Sequence, residues 1–211
     1  MNIVKHYESC LKKFGDTHLG VDWPKLDDVI IRYQIMLEAI KKEHKKKKVK
    51  LLDFGCGLSH LYEYILKNRY KYIHYSGLDI SMKYIGIVQK KFPKIHYYCF
   101  DILKDPEKLP RTDYIIMCGL FTEKRELEYN EMLNYFKKII KICFLKVNYG
   151  LVFNVMSKHV DWERKDLFHL PFDTLATFLK QEITRNYVIR NDYGLYEYTV
   201  YLYRRSAICK K

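Results

Sequence analysis

The sequence predicts an α/β protein, a doubly wound, seven-stranded, mostly parallel sheet with one antiparallel strand, helices on both faces and an N-terminal helical extension. Three observations lead there. Short apolar runs alternate with amphipathic stretches over most of the 211 residues, the pattern of a parallel sheet covered on both faces. The first apolar run, Val49 to Phe54, ends at once in Gly55-Cys56-Gly57, a strand closed by a tight turn. The last two strand-like runs are separated only by Asn191 to Leu195, too few residues for a parallel crossover, so they pair antiparallel.

The elements follow in order. From Asp27 to Lys42, Val29, Ile30, Tyr33, Met36, Leu37 and Ile40 recur at helical spacing, with Pro24 suited to the first turn and Gly20-Val21-Asp22-Trp23 forming a loop ahead of it. After the strand at Val49 to Phe54, a helix runs from Leu61 to Asn68, and Tyr75 to Asp79 is the second strand. Ser81 caps a helix that reaches Lys91 and stops before Pro93. Ile95 to Phe100 and Asp113 to Cys118 are the third and fourth strands, and Leu127 to Cys143 a helix with Met132, Leu133, Phe136, Ile139, Ile140 and Cys143 on one face. Leu151 to Val155 is the fifth strand, Phe172 to Lys180 a helix, and Ile183 to Arg190 the sixth strand. Tyr196 to Tyr203 is the seventh, with Tyr196, Tyr198, Val200 and Leu202 on one side.

Length and composition fit one domain, residues 1–211, divided into an N-terminal helical segment at 1–48 and a core at 49–211. No run is apolar and long enough to enter a membrane, and Met1 to Cys10 lacks the apolar centre of a signal peptide, so a cytoplasmic protein is expected. The six cysteines contain no CxxC pair, which indicates neither a metal site nor a disulfide framework; Cys99, Cys118 and Cys143 are expected in the core. Lys+Arg outnumber Asp+Glu by 38 to 25, a formal charge of +13 that favours an anionic partner. Its densest run, Lys41 to Lys50, lacks interleaved aromatics and reads as a solvated connector.

The chemistry-bearing residues stand at the carboxyl ends of strands. Glycines at 55 and 57 let a ligand approach the backbone where open α/β sheets bind their ligands. Asp79 ends the second strand 22 residues after Gly57, where a carboxylate accepts hydrogen bonds from the ribose hydroxyls of an adenosine. Asp101 closes the third strand. With Asp53 near the end of the first strand they make three such acids, which are costly as plain core residues. A nicotinamide fingerprint, G-x-G-x-x-G, requires glycine where the chain has His60.

Asp53-Phe54-Gly55-Cys56-Gly57-Leu58-Ser59 resembles the first motif of class I methyltransferases that use S-adenosylmethionine, although that family often has a third glycine at the position of Ser59. The resemblance covers nearly the whole chain. It extends to Gly20-Val21-Asp22-Trp23, Arg32-Tyr33, Gly119-Leu120-Phe121, Phe153 to Ser157, and Asp192-Tyr193 with Tyr196 to Thr199, and is to small bacterial methyltransferases of surface-glycan and small-metabolite modification. It implies S-adenosylmethionine as cofactor. The implied binding set is Asp53, Gly55, Cys56, Gly57, Asp79, Ile80, Asp101, Ile102, Cys118, Gly119, Trp23 and Arg32, with Asp101 at the adenine and the Arg32 guanidinium at the donor's carboxylate.

The segment after the fourth strand, Cys118 to Lys124, lacks the Asp/Asn-Pro-Pro-aromatic motif of enzymes that methylate base amino groups, and no Pro-Cys nucleophile occurs. The expected acceptor is therefore a small polar molecule, with a hydroxyl of a phosphorylated or nucleotide-linked sugar for bacterial surface polysaccharide as the leading reading. An RNA-directed enzyme is the alternative, a donor-binding module without catalysis the third. His159 is the first candidate for a general base, on the expectation that the loop after the fifth strand opens at the ligand edge; Asp161 and Glu123 are the others.

Overall fold

The computed structural model describes residues 2–204. In chain order it contains α1 (Asn2–Phe14), α2 (Leu26–Glu38), β1 (Val49–Phe54), α3 (His60–Lys67), β2 (Ile73–Asp79), α4 (Met82–Lys91), β3 (His96–Cys99), β4 (Thr112–Phe121), α5 (Tyr129–Lys146), β5 (Val147–Ser157), β6 (His169–Leu170), α6 (Phe172–Phe178), β7 (Tyr187–Arg190) and β8 (Glu197–Tyr203). The sheet order is β3-β2-β1-β4-β5-β8-β7. Pairing is parallel throughout except along β8, which runs against both β5 and β7, as the short connection before it requires. The two-residue β6 pairs with the end of β5 and makes an eighth strand that the sequence pattern did not announce.

Alternate strand residues face two cores. Leu52, Ile115 and Phe153 pack with Phe136, Ile140 and Cys143 of α5 and Phe178 of α6. Leu51, Ile116 and Val152 pack with Tyr33 and Met36 of α2, Leu61 and Ile65 of α3, and Val88 of α4. Helices thus cover both faces, which is why the middles of the central strands, Leu51-Leu52, Ile115 to Met117 and Leu151 to Phe153, are apolar on consecutive residues rather than on alternate ones. The chain winds outward from β1 to β3 and returns to β4, so the strand order reverses between β1 and β4, where open α/β sheets carry their ligand crevice. No helix among the described residues is long and apolar enough to cross a membrane.

Several local expectations are corrected. Gly20-Val21 belong to a 3-10 turn, His18–Val21, rather than a loop, while α1 falls within the helical segment expected at 1–48. Pro24 lies one residue ahead of the N-cap Lys25, outside the first turn of α2. Ser81 occupies the N-cap of α4 but its side chain makes no cap bond; its hydroxyl donates instead to Glu8 at 2.7 Å. Residues Leu179–Ile183 wind into a single π turn that prolongs α6, so β7 starts only at Tyr187. Tyr196 is exposed because β8 starts after it, and both faces of β8 are buried. Of the cysteines expected inside, Cys143 is buried, Cys118 is half-buried, and Cys99 is exposed on the edge strand β3; Cys209 lies outside the described residues.

Candidate active site

A cleft of about 530 Å³ opens over the carboxyl ends of β1 to β4, within the size range of small-molecule sites. Its floor is the β1–α3 turn. Gly55 and Gly57 hold left-handed backbone (φ 80° and 48°), and a Cβ on them would lie 3.2 Å from Leu120 and 3.1 Å from Val21. Ser59, where the related motif often has glycine, adopts φ 58° itself, and its hydroxyl donates to the Tyr97 hydroxyl at 3.1 Å.

Three acids surround that turn. Asp53 is buried and accepts a 2.7 Å hydrogen bond from the Tyr75 hydroxyl; burial, against that bond and with the nearby Asp79, raises its pKa to about 7. Asp79 lines the cleft and clamps two loops, its Oδ2 accepting from the Gly57 N–H and its Oδ1 from the Ser81 N–H, both at 2.9 Å. A carboxylate has about four lone-pair sites, so lone-pair capacity remains for a ligand. Desolvation pushes the Asp79 pKa up while the backbone N–H groups of Ser81, Gly57 and Ile80 pull it down. Asp101 lines the same cleft and accepts from the Leu103 N–H at 3.0 Å.

Ile80, Ile102, Cys56, Cys118, Gly119 and Trp23 complete the expected lining. Burial pushes both the Cys56 and Cys118 thiols up, which disfavours a thiolate at either position. Gly119 (φ 81°) makes room for the indole of Trp23, which a Cβ would approach to 2.5 Å. Arg32 alone of the expected donor-binding set does not line the cleft. Its guanidinium lies over the Trp23 ring, 4.2 Å from the centroid, and its Nε donates to Glu197 at 2.9 Å. Glu197 also accepts from Asn154, whose amide oxygen accepts from the Gly119 N–H at 2.7 Å. Arg32 therefore reaches the cleft only through its neighbours.

The candidate bases are placed differently. His159 is exposed, its ring stacked on Phe172 at 5.1 Å, and Asp161 is exposed beside Tyr196; neither lines the cleft. The loop after β5 turns toward β6 and α6 instead of folding over the β1–β4 edge. Glu123 is half-buried, with a pKa raised by burial and by Asp22 against the Arg125 charge. It accepts from Arg125 Nε at 2.6 Å, and Arg125 does line the cleft.

Sequence reasoning missed the roof. Ile3, Val4 and Tyr7 of α1 face the cleft, and their i, i+4 spacing within an amphipathic run was the available signal. His6, Cys10 and Asp22 bring three potential metal ligands within 4.8 Å of one another. The Arg125 guanidinium, however, contacts both His6 and Asp22, so a fixed positive charge already occupies the place of a cation.

No family model matches the chain. Over 159 residues it is 23% identical to Rv1506c of Mycobacterium tuberculosis, a protein provisionally named a methyltransferase, covering 73% of this chain and 92% of that one. Among solved structures it is similar to the magnesium protoporphyrin IX methyltransferase of Synechocystis PCC 6803 with bound S-adenosylmethionine (TM-score 0.63, 14% identity, 97% of this chain and 96% of that one). The same enzyme with the demethylated product gives a TM-score of 0.65, at 12% identity and over 97% and 99% of the two chains. A methyltransferase of Clostridium acetobutylicum that depends on S-adenosylmethionine gives 0.53, at 14% identity and over 95% and 97%. The fold is that of class I methyltransferases.

Proposed function

We propose that this chain is a methyltransferase that binds S-adenosylmethionine in the cleft and methylates a small polar acceptor. The observation that carries the reading is Asp79, a carboxylate at the tip of β2 that lines the cleft, locked to the glycine turn of β1 and able to accept from the ribose hydroxyls. Ile80 and Ile102 would flank the adenine, with Asp101 at its amino edge, and the backbone at Gly55 to Gly57 would take the amino-acid part. The donor brings an electrophilic methyl group on a sulfonium; the chain's own residues align it and exclude water. The enzymes of this fold that bind the same donor support the assignment.

For the acceptor, a hydroxyl of a phosphorylated or nucleotide-linked sugar, used in bacterial surface-polysaccharide synthesis in the cytoplasm, is the reading that the excess of basic residues favours. The lysine run weighs against RNA. It precedes β1, whereas the cleft lies at the far end of this six-residue strand, roughly 20 Å away at the rise of an extended chain. Of the three candidate bases, Glu123 stands nearest the cleft.

Calorimetry with S-adenosylmethionine, S-adenosylhomocysteine and NAD tests the donor. The first two are expected to bind with comparable affinity; saturable binding of NAD alone would overturn the assignment. Transfer of labelled methyl groups to sugar nucleotides, small metabolites and RNA then sorts the acceptors. Salt-insensitive transfer to a sugar nucleotide is expected, and steeply salt-sensitive transfer to RNA alone would replace that reading.

A further inference from the structure

Helix α1 differs from every other helix in how it is held. Helices α2 to α6 all place side chains in one of the two cores, whereas no residue of α1 belongs to either. Its apolar residues Ile3, Val4 and Tyr7 look onto the cleft instead. Cys10 is its buried side chain among the described residues, and the other contacts that hold it are mostly polar and peripheral. Glu8 accepts from the Ser81 hydroxyl at 2.7 Å and pairs with Lys83 at 2.6 Å. Asp16, just past the helix, pairs with His60 at 2.8 Å and Lys91 at 2.6 Å. His6 and Asp22 meet Arg125, and the Tyr84 hydroxyl lies 2.8 Å from the Tyr7 carbonyl oxygen.

Ion pairs with exposed members contribute little to stability. Segments with few buried apolar contacts open at lower free energy than the core they sit on. A ligand in the cleft would supply α1 with the apolar contact that the protein itself withholds. One fastening also meets the floor directly, because Ser81 gives its hydroxyl to Glu8 and its backbone N–H to Asp79.

Resting on the methyl-donor reading above, we propose that α1 is a hinged roof over the donor site, and that its release from Ser81, Lys83, His60 and Lys91 sets the rate at which donor and product exchange. The donor pins the roof, and the roof delays its departure.

Stopped-flow binding of S-adenosylhomocysteine, followed by the fluorescence of Trp23 in the cleft wall, tests this on the full chain. In the Glu8→Gln, Asp16→Asn double variant, both association and dissociation should accelerate, dissociation by at least about fivefold, with affinity changed less than either rate. Circular dichroism like that of the parent establishes that the variant is folded. In the parent, hydrogen exchange of the α1 amides should be much faster than that of β1 and β4 and should slow on adding S-adenosylhomocysteine. Rates within twofold of the parent, or α1 amides as protected as β1 without ligand, would overturn the roof while leaving the donor reading intact. Absence of any S-adenosylhomocysteine binding by the parent would instead remove the donor reading, and the roof with it.

Discussion

Asp22 and Arg125, the latter in the wall of the cleft, meet at 2.9 Å, and both hold left-handed backbone, at φ 60° and 52°. They are two of four non-glycine residues with positive φ among those described. Such conformations persist only where the surroundings over-determine them. Here the Lys124 and Arg125 N–H groups both donate to the Asp166 carbonyl at 2.9 Å, fixing the loop that aims the guanidinium. Arg125→Ala removes the ion pairs and keeps the strained backbone; Arg125→Gly removes both. The glycine variant is expected to be the more stable by about 1 kcal/mol, measured by urea unfolding. Equal stabilities would mean that the loop relaxes once the guanidinium is gone.

Asp79→Ala should weaken S-adenosylhomocysteine binding by roughly 1.5 to 3 kcal/mol, the cost of losing hydrogen bonds to a charged group. Calorimetry reads the affinity and circular dichroism the fold. A folded variant that binds like the parent would show that Asp79 holds only the two loops and not the ribose.

Asp53 makes stability depend on pH. Its pKa is raised from 3.8 to about 7 in the folded chain, so folding is favoured while the group is protonated. Its contribution is fully present below pH 3.8 and is lost as pH rises through about 7, because the unfolded chain releases the proton first. Asp53→Asn, which keeps the shape and cannot ionise, should gain on the parent between pH 5 and pH 8 in urea unfolding. A difference between the two proteins that stays constant over that interval would place the ionised form comfortably in the fold.

Arg32 and Glu197 form a pair with only 11% and 1% of their side chains exposed. Arg32→Ala leaves a buried carboxylate without its cation, and the expected loss is about 3 to 5 kcal/mol. Pairing Arg32→Met with Glu197→Gln should recover most of it, since the apolar stem still covers Trp23 and no charge is stranded. Failure of the double variant to recover would shift the weight to the contact between Arg32 and Trp23.

Replacing Lys45, Lys46, Lys47 and Lys48 together by Gln should leave S-adenosylhomocysteine affinity and transfer to a small acceptor within a few fold of the parent. These residues lie ahead of β1, at the opposite end of the strand from the cleft. A tenfold loss partly restored at low salt would mark a polyanion acceptor.

The sequence by itself determined seven of the eight strands of the sheet, the one that runs reversed and the placing of Asp53, Asp79 and Asp101 near the glycine turn. These are local matters: strand and helix periods, turn chemistry at Gly55 and Gly57, and a connection at 191–195 too short to cross over. The tertiary structure decided what those residues meet. Arg32 turns to a glutamate 165 residues away, and no spacing within α2 encodes that partner. His159 carries the right chemistry, yet the short β6 draws its loop away from the ligand edge. Residues Ile3, Val4 and Tyr7 form an apolar stripe that reads as an ordinary buried helix face. Only the packed molecule leaves a cleft beneath that stripe, because α2, α3 and α4 already fill the core on their side of the sheet.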